Sequence, residues 1–363
     1  MNILKSFFLS IILCLSLFAQ SQTPEFEKFT PRDGLIGRDV ECIYQDSYGF
    51  MWFGTWMGIN RYDGTEFRFY EIFPAHPRFV SSNFVSAITE DSYGYLWIGT
   101  LRGLIRLDPF SGRTLTFLHN KNNPDTPSHN FVTSIFIDRE NIIWFGTQGG
   151  GLNKLITDPG GQNPEFSHYL FEGDTNKNIR NNSVYSVYGN SRPDNDLLWV
   201  GTANGLIAFN KKNEQYRRYI HNPDDNTSLP SNEISVIHED KQGQIWIGTD
   251  DGFICSINKT SKGNYFFNNY LTDTQSKINH IADADSHSLW LAGNIETGLI
   301  NFDTKTGKVD KFFHDPENPK SIHWNSIYAL YKDCSGILWV GAEGALNYFN
   351  PQKIKFRQFL ALP

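Results

Sequence analysis

The sequence predicts an all-β fold, a seven-bladed β-propeller of four-stranded antiparallel blades, and three observations predict it. Seven tryptophans, Trp52, Trp97, Trp144, Trp199, Trp246, Trp290 and Trp339, recur at intervals of 44 to 55 residues. Each sits in the same local pattern, a turn rich in Asp and Gly followed by a short apolar run through Trp. Aromatic residues abound, with 29 Phe, 16 Tyr and 9 Trp against 3 Met, a bias that suits pleated strands rather than helices. A period of 40 to 50 residues that reads as four strands is the signature of a propeller blade.

Along the chain, the first 22 residues stand apart. A lysine at position 5 precedes an apolar run, Phe7 to Phe18, broken only by Ser10 and Ser16, and polar Gln20-Ser21-Gln22 follows Ala19. This is the layout of a cleavable signal peptide over residues 1–22, too short to span a bilayer comfortably. Leu13 stands before Cys14 where a lipoprotein signal needs a small residue. The mature chain, residues 23–363, holds no second apolar run of about twenty residues, so no membrane span is expected in it. Its three cysteines, Cys42, Cys255 and Cys334, are odd in number and far apart, which predicts small buried side chains in strands rather than a disulfide framework. Acidic residues outnumber basic ones, 39 to 32, for a net charge of −7, and no basic stripe marks a nucleic-acid footprint.

Unit 2 shows the blade most plainly. Val85 to Thr89 alternates as strand a. Asp91-Ser-Tyr-Gly94 is a tight turn, with Asp able to bond its own backbone and Gly able to take positive φ. Tyr95 to Gly99 is strand b, Leu104 to Leu107 strand c, and Thr114 to Leu118 strand d. A polar loop, His119 to Ser128, leads to the next unit. A single blade cannot bury both faces, so its large side chains must lie between blades, with the strand b Trp as the wedge. Ring closure has two candidates for the last outer strand: Glu25 to Thr30 ahead of unit 1, and Lys353 to Phe359 after unit 7.

Four stretches share the pattern D-x-x-G-x-x-W-x-G. They are Asp46…Gly49…Trp52-Phe-Gly54-Thr55, Asp91…Gly94…Trp97-Ile-Gly99-Thr100, Asp240…Gly243…Trp246-Ile-Gly248-Thr249 and Asp333…Gly336…Trp339-Val-Gly341. Together with the linker Asn222-Pro-Asp-Asp-Asn-Thr-Ser-Leu-Pro-Ser-Asn232, they resemble the two-component regulator propeller repeat over roughly residues 25–363. The resemblance implies the extracytoplasmic sensor region of a bacterial hybrid two-component system. It further implies a periplasmic location, an oligosaccharide or other small ligand, and a downstream kinase module or second propeller as partner. The chain departs from that architecture in holding one propeller and no kinase. Two other readings stand beside it: a lyase or glycosidase on the same scaffold, and a protein-interaction platform.

In a propeller, the d–a and b–c loops share one face, and a ligand there meets residues entering strand a and residues just after strand b. Entering strand a, the sequence repeats Asn six times, at Asn83, Asn130, Asn182, Asn232, Asn279 and Asn325, a repetition that points to tying down the backbone. Unit 1 has Arg38 instead. After strand b the residues differ in every unit, as a site grafted on a shared scaffold would. The candidate ligand-binding residues are therefore Arg38, Trp56, Arg102, Gln148, Asp250, Asp251, Trp324 and Glu343. Aromatic and charged side chains together suit a sugar, which stacks a ring face and offers hydroxyls. The same residues also fit an ordinary polar rim. No catalytic motif, cofactor fingerprint or His-rich metal spacing is present, so no catalytic residue, cofactor or metal is assigned. Asp283 and Asp285, in a turn that lacks the usual Gly, fit either a calcium loop or a plain turn.

Overall fold

The computed structural model describes residues 24–72, 83–156, 164–171, 179–189, 196–272, 274 and 276–350. They form seven separate four-stranded antiparallel sheets, the seven blades. Strand a of each blade is innermost: Val40–Gln45, Val85–Glu90, Val132–Ile137, Val184–Gly189, Ile234–Glu239, Ile278–Asp283 and Ile327–Lys332. Each lies beside the next, and the last lies beside the first, so the ring is closed. The N-terminal candidate completes it. Glu27–Phe29 pairs antiparallel with Ala345–Phe349 as the outermost strand of blade 7. The Phe29 ring lies 5.2 Å from those of Tyr62 and Phe67 in blade 1, fastening the last blade to the first. The other candidate, 353–359, and the predicted leader, 1–22, lie outside the described residues.

The recurring Asp and Trp form one device. In blade 2, Asp91 Oδ1 accepts the backbone N–H groups of Tyr93 and Tyr95, at 2.9 and 3.0 Å, which shapes the a–b turn. Its Oδ2 accepts the indole N–H of Trp97 at 2.8 Å. The same indole–carboxylate bond joins Trp52 to Asp46, Trp144 to Asp138, Trp246 to Asp240 and Trp339 to Asp333. A buried indole N–H needs such a partner. Blade 6 has Ala284 at the Asp position, and there Trp290 lies slightly less deep, 8% exposed against 0% for Trp97.

The glycine two residues after six of the seven Trp has an inter-blade reason; blade 6 carries Ala292 at this place. A Cβ on Gly248 would lie 2.7 Å from Val236 Cγ1 and 2.9 Å from Ile278 Cβ, the first residue of the next blade's strand a. Gly99 faces Val132 and Gly201 faces Ile234 in the same way. The missing side chain is what lets neighbouring blades close on each other. Gly248→Ala is therefore expected to lower stability by roughly 1–3 kcal/mol through overpacking, read as a shift of the urea midpoint. The following threonine closes the b–c turn: Thr100 Oγ1 donates to Gly103 O at 2.8 Å and accepts the Arg102 N–H at 3.0 Å.

The cysteines correct one expectation. Cys255 is buried and Cys42 half-buried, both in strands, but Cys334 is exposed in the a–b turn of blade 7. That turn position faces solvent because its backbone N–H, not its side chain, makes the contact, donating to Gln45 Oε1 at 2.8 Å.

Candidate functional site

In every blade the pairing of strand a with strand b shifts register between the first and third residues of strand a. A β-bulge of this kind leaves one residue unpaired and re-aims its side chain. The seven bulge residues are Glu41, Ser86, Thr133, Tyr185, Ser235, Asn279 and Tyr328. All seven line one cavity of about 210 Å³ at the axis, together with Phe84, Phe131 and Lys277, each the residue just before its strand a. The cavity thus sits at the end of the ring where the d–a loops enter and the b–c turns reverse.

Four bulge residues bind the neighbouring blade. Ser86 Oγ donates to Val132 O at 2.5 Å, Thr133 Oγ1 to Val184 O at 2.6 Å, Ser235 Oγ to Ile278 O at 2.6 Å, and Asn279 Nδ2 to Ile327 O at 2.9 Å. Each acceptor is the first residue of the next strand a. Glu41, Tyr185 and Tyr328 make no such bond.

Glu41 has a different partner. Its Oε1 accepts the indole N–H of Trp56 at 2.7 Å, and the Trp56 ring lies 4.6 Å from that of Phe84. Burial pushes the Glu41 carboxyl up to about 7; the Trp56 N–H opposes that rise and the charge of Asp39 adds to it. Burial, then the charge of Glu343 and of Glu41, pushes the Tyr328 phenol up to about 12. The Tyr185 phenol is raised by burial and then by Glu233, and Lys277 Nζ lies 5.6 Å from the centre of its ring. The cavity therefore combines aromatic walls, two protonated phenols, one ammonium and one carboxyl that takes up or gives a proton near neutrality.

None of the eight sequence-derived candidates is among the residues that line this cavity. Trp56 reaches it through Glu41 and Phe84. Asp250, its carboxyl raised by burial and then by Glu233, is coupled to Lys277, and its N–H donates to Glu233 O at 3.1 Å. Glu343 acts on Tyr328, and its N–H donates to Ser326 O at 3.0 Å. Arg38 is exposed in the loop ahead of blade 1. Arg102 is half-buried in the b–c turn of blade 2. Gln148 is exposed, and its N–H bonds Phe131 O at 3.0 Å. Asp251 is engaged in its own turn, accepting from Thr249 Oγ1 at 2.6 Å. The Trp324 ring lies 5.8 Å from that of His314.

The repeated asparagines act on the backbone. Asn130, Asn182, Asn232 and Asn325 each accept, at 2.7 Å, the N–H of a residue closely following strand d of the preceding blade. Asn279 does not belong to that set. The others stand two residues before strand a, whereas Asn279 stands one residue inside it and is a bulge residue. Asp283 lies 3.6 Å from His238 Nε2, and Asp285 Oδ1 accepts the His287 N–H at 2.7 Å. Among the described residues, no three His, Cys, Asp or Glu side chains gather as a metal would need.

Comparison with known proteins agrees with this architecture. The family model for the two component regulator propeller matches residues 34–57, 80–102, 126–149 and 228–251, each stretch running through strand a, the Asp turn and strand b of one blade. A stretch of 58 residues is 45% identical to part of Histidine kinase P4 of Formosa agariphila, covering 16% of this chain and 4% of that protein. The fold superposes on the extracellular domain of a hybrid two component system of B. thetaiotaomicron with a TM-score of 0.71 and 23% identity, over 90% of this chain and 42% of that one. It also superposes on virginiamycin B lyase from Staphylococcus aureus with a TM-score of 0.64 and 14% identity, over 90% of this chain and 99% of that one. The chain thus spans less than half of the two-component extracellular domain and a small part of the kinase.

Proposed function

Because four of its seven blades carry two component regulator propeller repeats, we propose that this chain is the extracytoplasmic ligand-binding part of a two-component signalling system and that it takes an oligosaccharide at its axial cavity. The observation that carries this reading is the cavity lining. Phe84 and Phe131 offer apolar faces for a sugar ring, while Glu41, Tyr185, Lys277 and Tyr328 offer polar atoms for its hydroxyls. The volume is smaller than the roughly 300 Å³ at which pockets for larger ligands begin. It suits one ring, with the remainder of the chain lying over the rim at Trp56, Asp250 and Glu343. The apolar run at residues 7–18 supports export, and the described residues include no helix long and apolar enough to cross a membrane. The kinase-containing relative supports a signalling partner joined to, or met by, this propeller.

Calorimetry with a panel of defined glycan fragments is expected to find at least one that binds, and Trp56→Ala is expected to weaken it by a factor of ten or more, about 1.4 kcal/mol. A folded protein that binds no member of the panel would sink the oligosaccharide reading.

A further inference from the structure

We propose that Glu41, Tyr185 and Tyr328 are the side chains by which the axial cavity selects its ligand, an inference that rests on reading that cavity as the ligand site. All seven bulges are equivalent places in the ring, so each asks the same structural task of its residue: to tie its blade to the next. Four residues perform it, with short hydrogen bonds from Ser86, Thr133, Ser235 and Asn279 to the neighbouring main chain. Those four have spent their donors on the scaffold. The three that do not are also the three largest of the seven, and a Ser or Thr in their place would have the latch geometry that the other blades show. In blade 1 the corresponding carbonyl, Val85 O, is met only by the weaker Cys42 Sγ–H at 3.8 Å; a scaffold whose bulge residues forgo this bond at three of seven equivalent places has those places occupied by something else.

What they present is coherent chemistry. A phenol is an O–H donor at neutral pH, and the Tyr185 hydroxyl has the Glu233 carboxylate as a hydrogen-bond neighbour at the cavity rather than a main-chain latch. Glu41 has one oxygen on the Trp56 N–H, and among the described residues no hydrogen bond reaches the other. Glu41 and Tyr328 stand in blades 1 and 7, which adjoin through ring closure, while Tyr185 stands in blade 4 across the axis. A ligand gripped from both sides by O–H donors, with Phe84 and Phe131 along the wall, is a hydroxyl- and ether-rich ring with at least one apolar face.

Two measurements on the full chain test this. In thermal melts at pH 5, Ser86→Ala and Thr133→Val, which remove latches, are expected to lower Tm, while Glu41→Gln, Tyr185→Phe and Tyr328→Phe leave it unchanged or raise it. For binding, two probes are used: the glycan panel, and a chemically mixed fragment library followed by ligand-observed NMR. Whatever binds the wild type is expected to lose roughly tenfold in affinity with each of the three variants and to bind Tyr188→Phe, at the far end of strand a in blade 4, as the wild type does. Fragments that bind through the three residues while no glycan binds would end the oligosaccharide reading and uphold this one. Glycans or fragments that bind all three variants unchanged, or three variants that melt as early as the latch variants, would overturn this one and leave the oligosaccharide reading standing wherever a glycan still binds. No binding of either probe would end both.

Discussion

Replacing Trp97 by alanine is expected to lower the stability of the ring by about 3–5 kcal/mol, roughly a fifth or more of what a domain ordinarily has. Trp97 is wholly buried and lies between blades 2 and 3, in contact with the cluster of Leu104, Phe117, Val132, Ile143 and Phe145. Its ring stacks on that of Phe117 at 5.7 Å. Truncation would leave a void that the flat, paired strands on either side cannot collapse to fill. It would also leave Asp91 Oδ2 without the indole N–H that it accepts. Asp91→Asn separates the two effects. The amide still accepts the Tyr93 and Tyr95 N–H groups through its oxygen but then turns N–H toward N–H at the indole, for a loss of roughly 1–3 kcal/mol. Urea unfolding followed by tryptophan fluorescence measures both variants. An alanine variant within 1 kcal/mol of the wild type would show that the Trp is not the wedge between blades.

The second large effect is a pH dependence centred on Glu41. Its carboxyl has an ordinary value of 4.5 and lies at about 7 in the folded ring, raised first by burial, opposed by the Trp56 N–H and assisted by Asp39. The folded state thus holds this proton more tightly than the unfolded chain does. The stability that Glu41 contributes is full below about pH 4.5, drains away as the pH rises to about 7, and stays lost above that. The shift corresponds to at most about 3 kcal/mol. Glu41→Gln carries no titrating proton, so it should match the wild type at pH 4.5 and exceed it by up to about 3 kcal/mol at pH 8. The comparison must be a difference between the two proteins. His280, buried in blade 6 and pushed down to about 4 by burial and by His238, contributes the opposite slope between its ordinary 6.5 and 4 in both. Denaturant melts at five or more pH values decide it; a flat difference curve would mean that Glu41 titrates as an exposed carboxylate.

The blade count, the strand order and the wedge were legible because they are written in spacing. Trp97, Asp91 and Gly99 recur with their partners at fixed distances, and each recurrence has one structural cause. Closure was legible only as a choice between two similar segments, since nothing local in Glu27–Phe29 says that it will pair with a strand more than 300 residues away. The cavity lining was hidden for a more particular reason. A bulge breaks the two-residue alternation that identifies strand faces, so Glu41, Tyr185 and Tyr328 read as ordinary members of strand a. The signal was nevertheless present in the column one place past the apolar residue that opens each strand a. Glu, Ser, Thr, Tyr, Ser, Asn and Tyr stand there, four small or amide side chains against three large ones. The attention given to Arg38 and the b–c turns reached the rim, where the Trp56 side chain leads by direct contact to the lining.

The joining of Glu27–Phe29 to Ala345–Phe349 has a temporal meaning. A segment made early on the ribosome is used last, and the hydroxyl of Tyr348 finds the Glu27 carboxylate across 321 positions of chain. Until the final sheet exists, the first few residues have nowhere to dock, and six finished sheets stand as an open arc with two unprotected flanks. Closing the ring then requires the meeting of two segments far apart in the chain, a search whose entropic toll grows only slowly with the distance between them but which no local interaction can hasten.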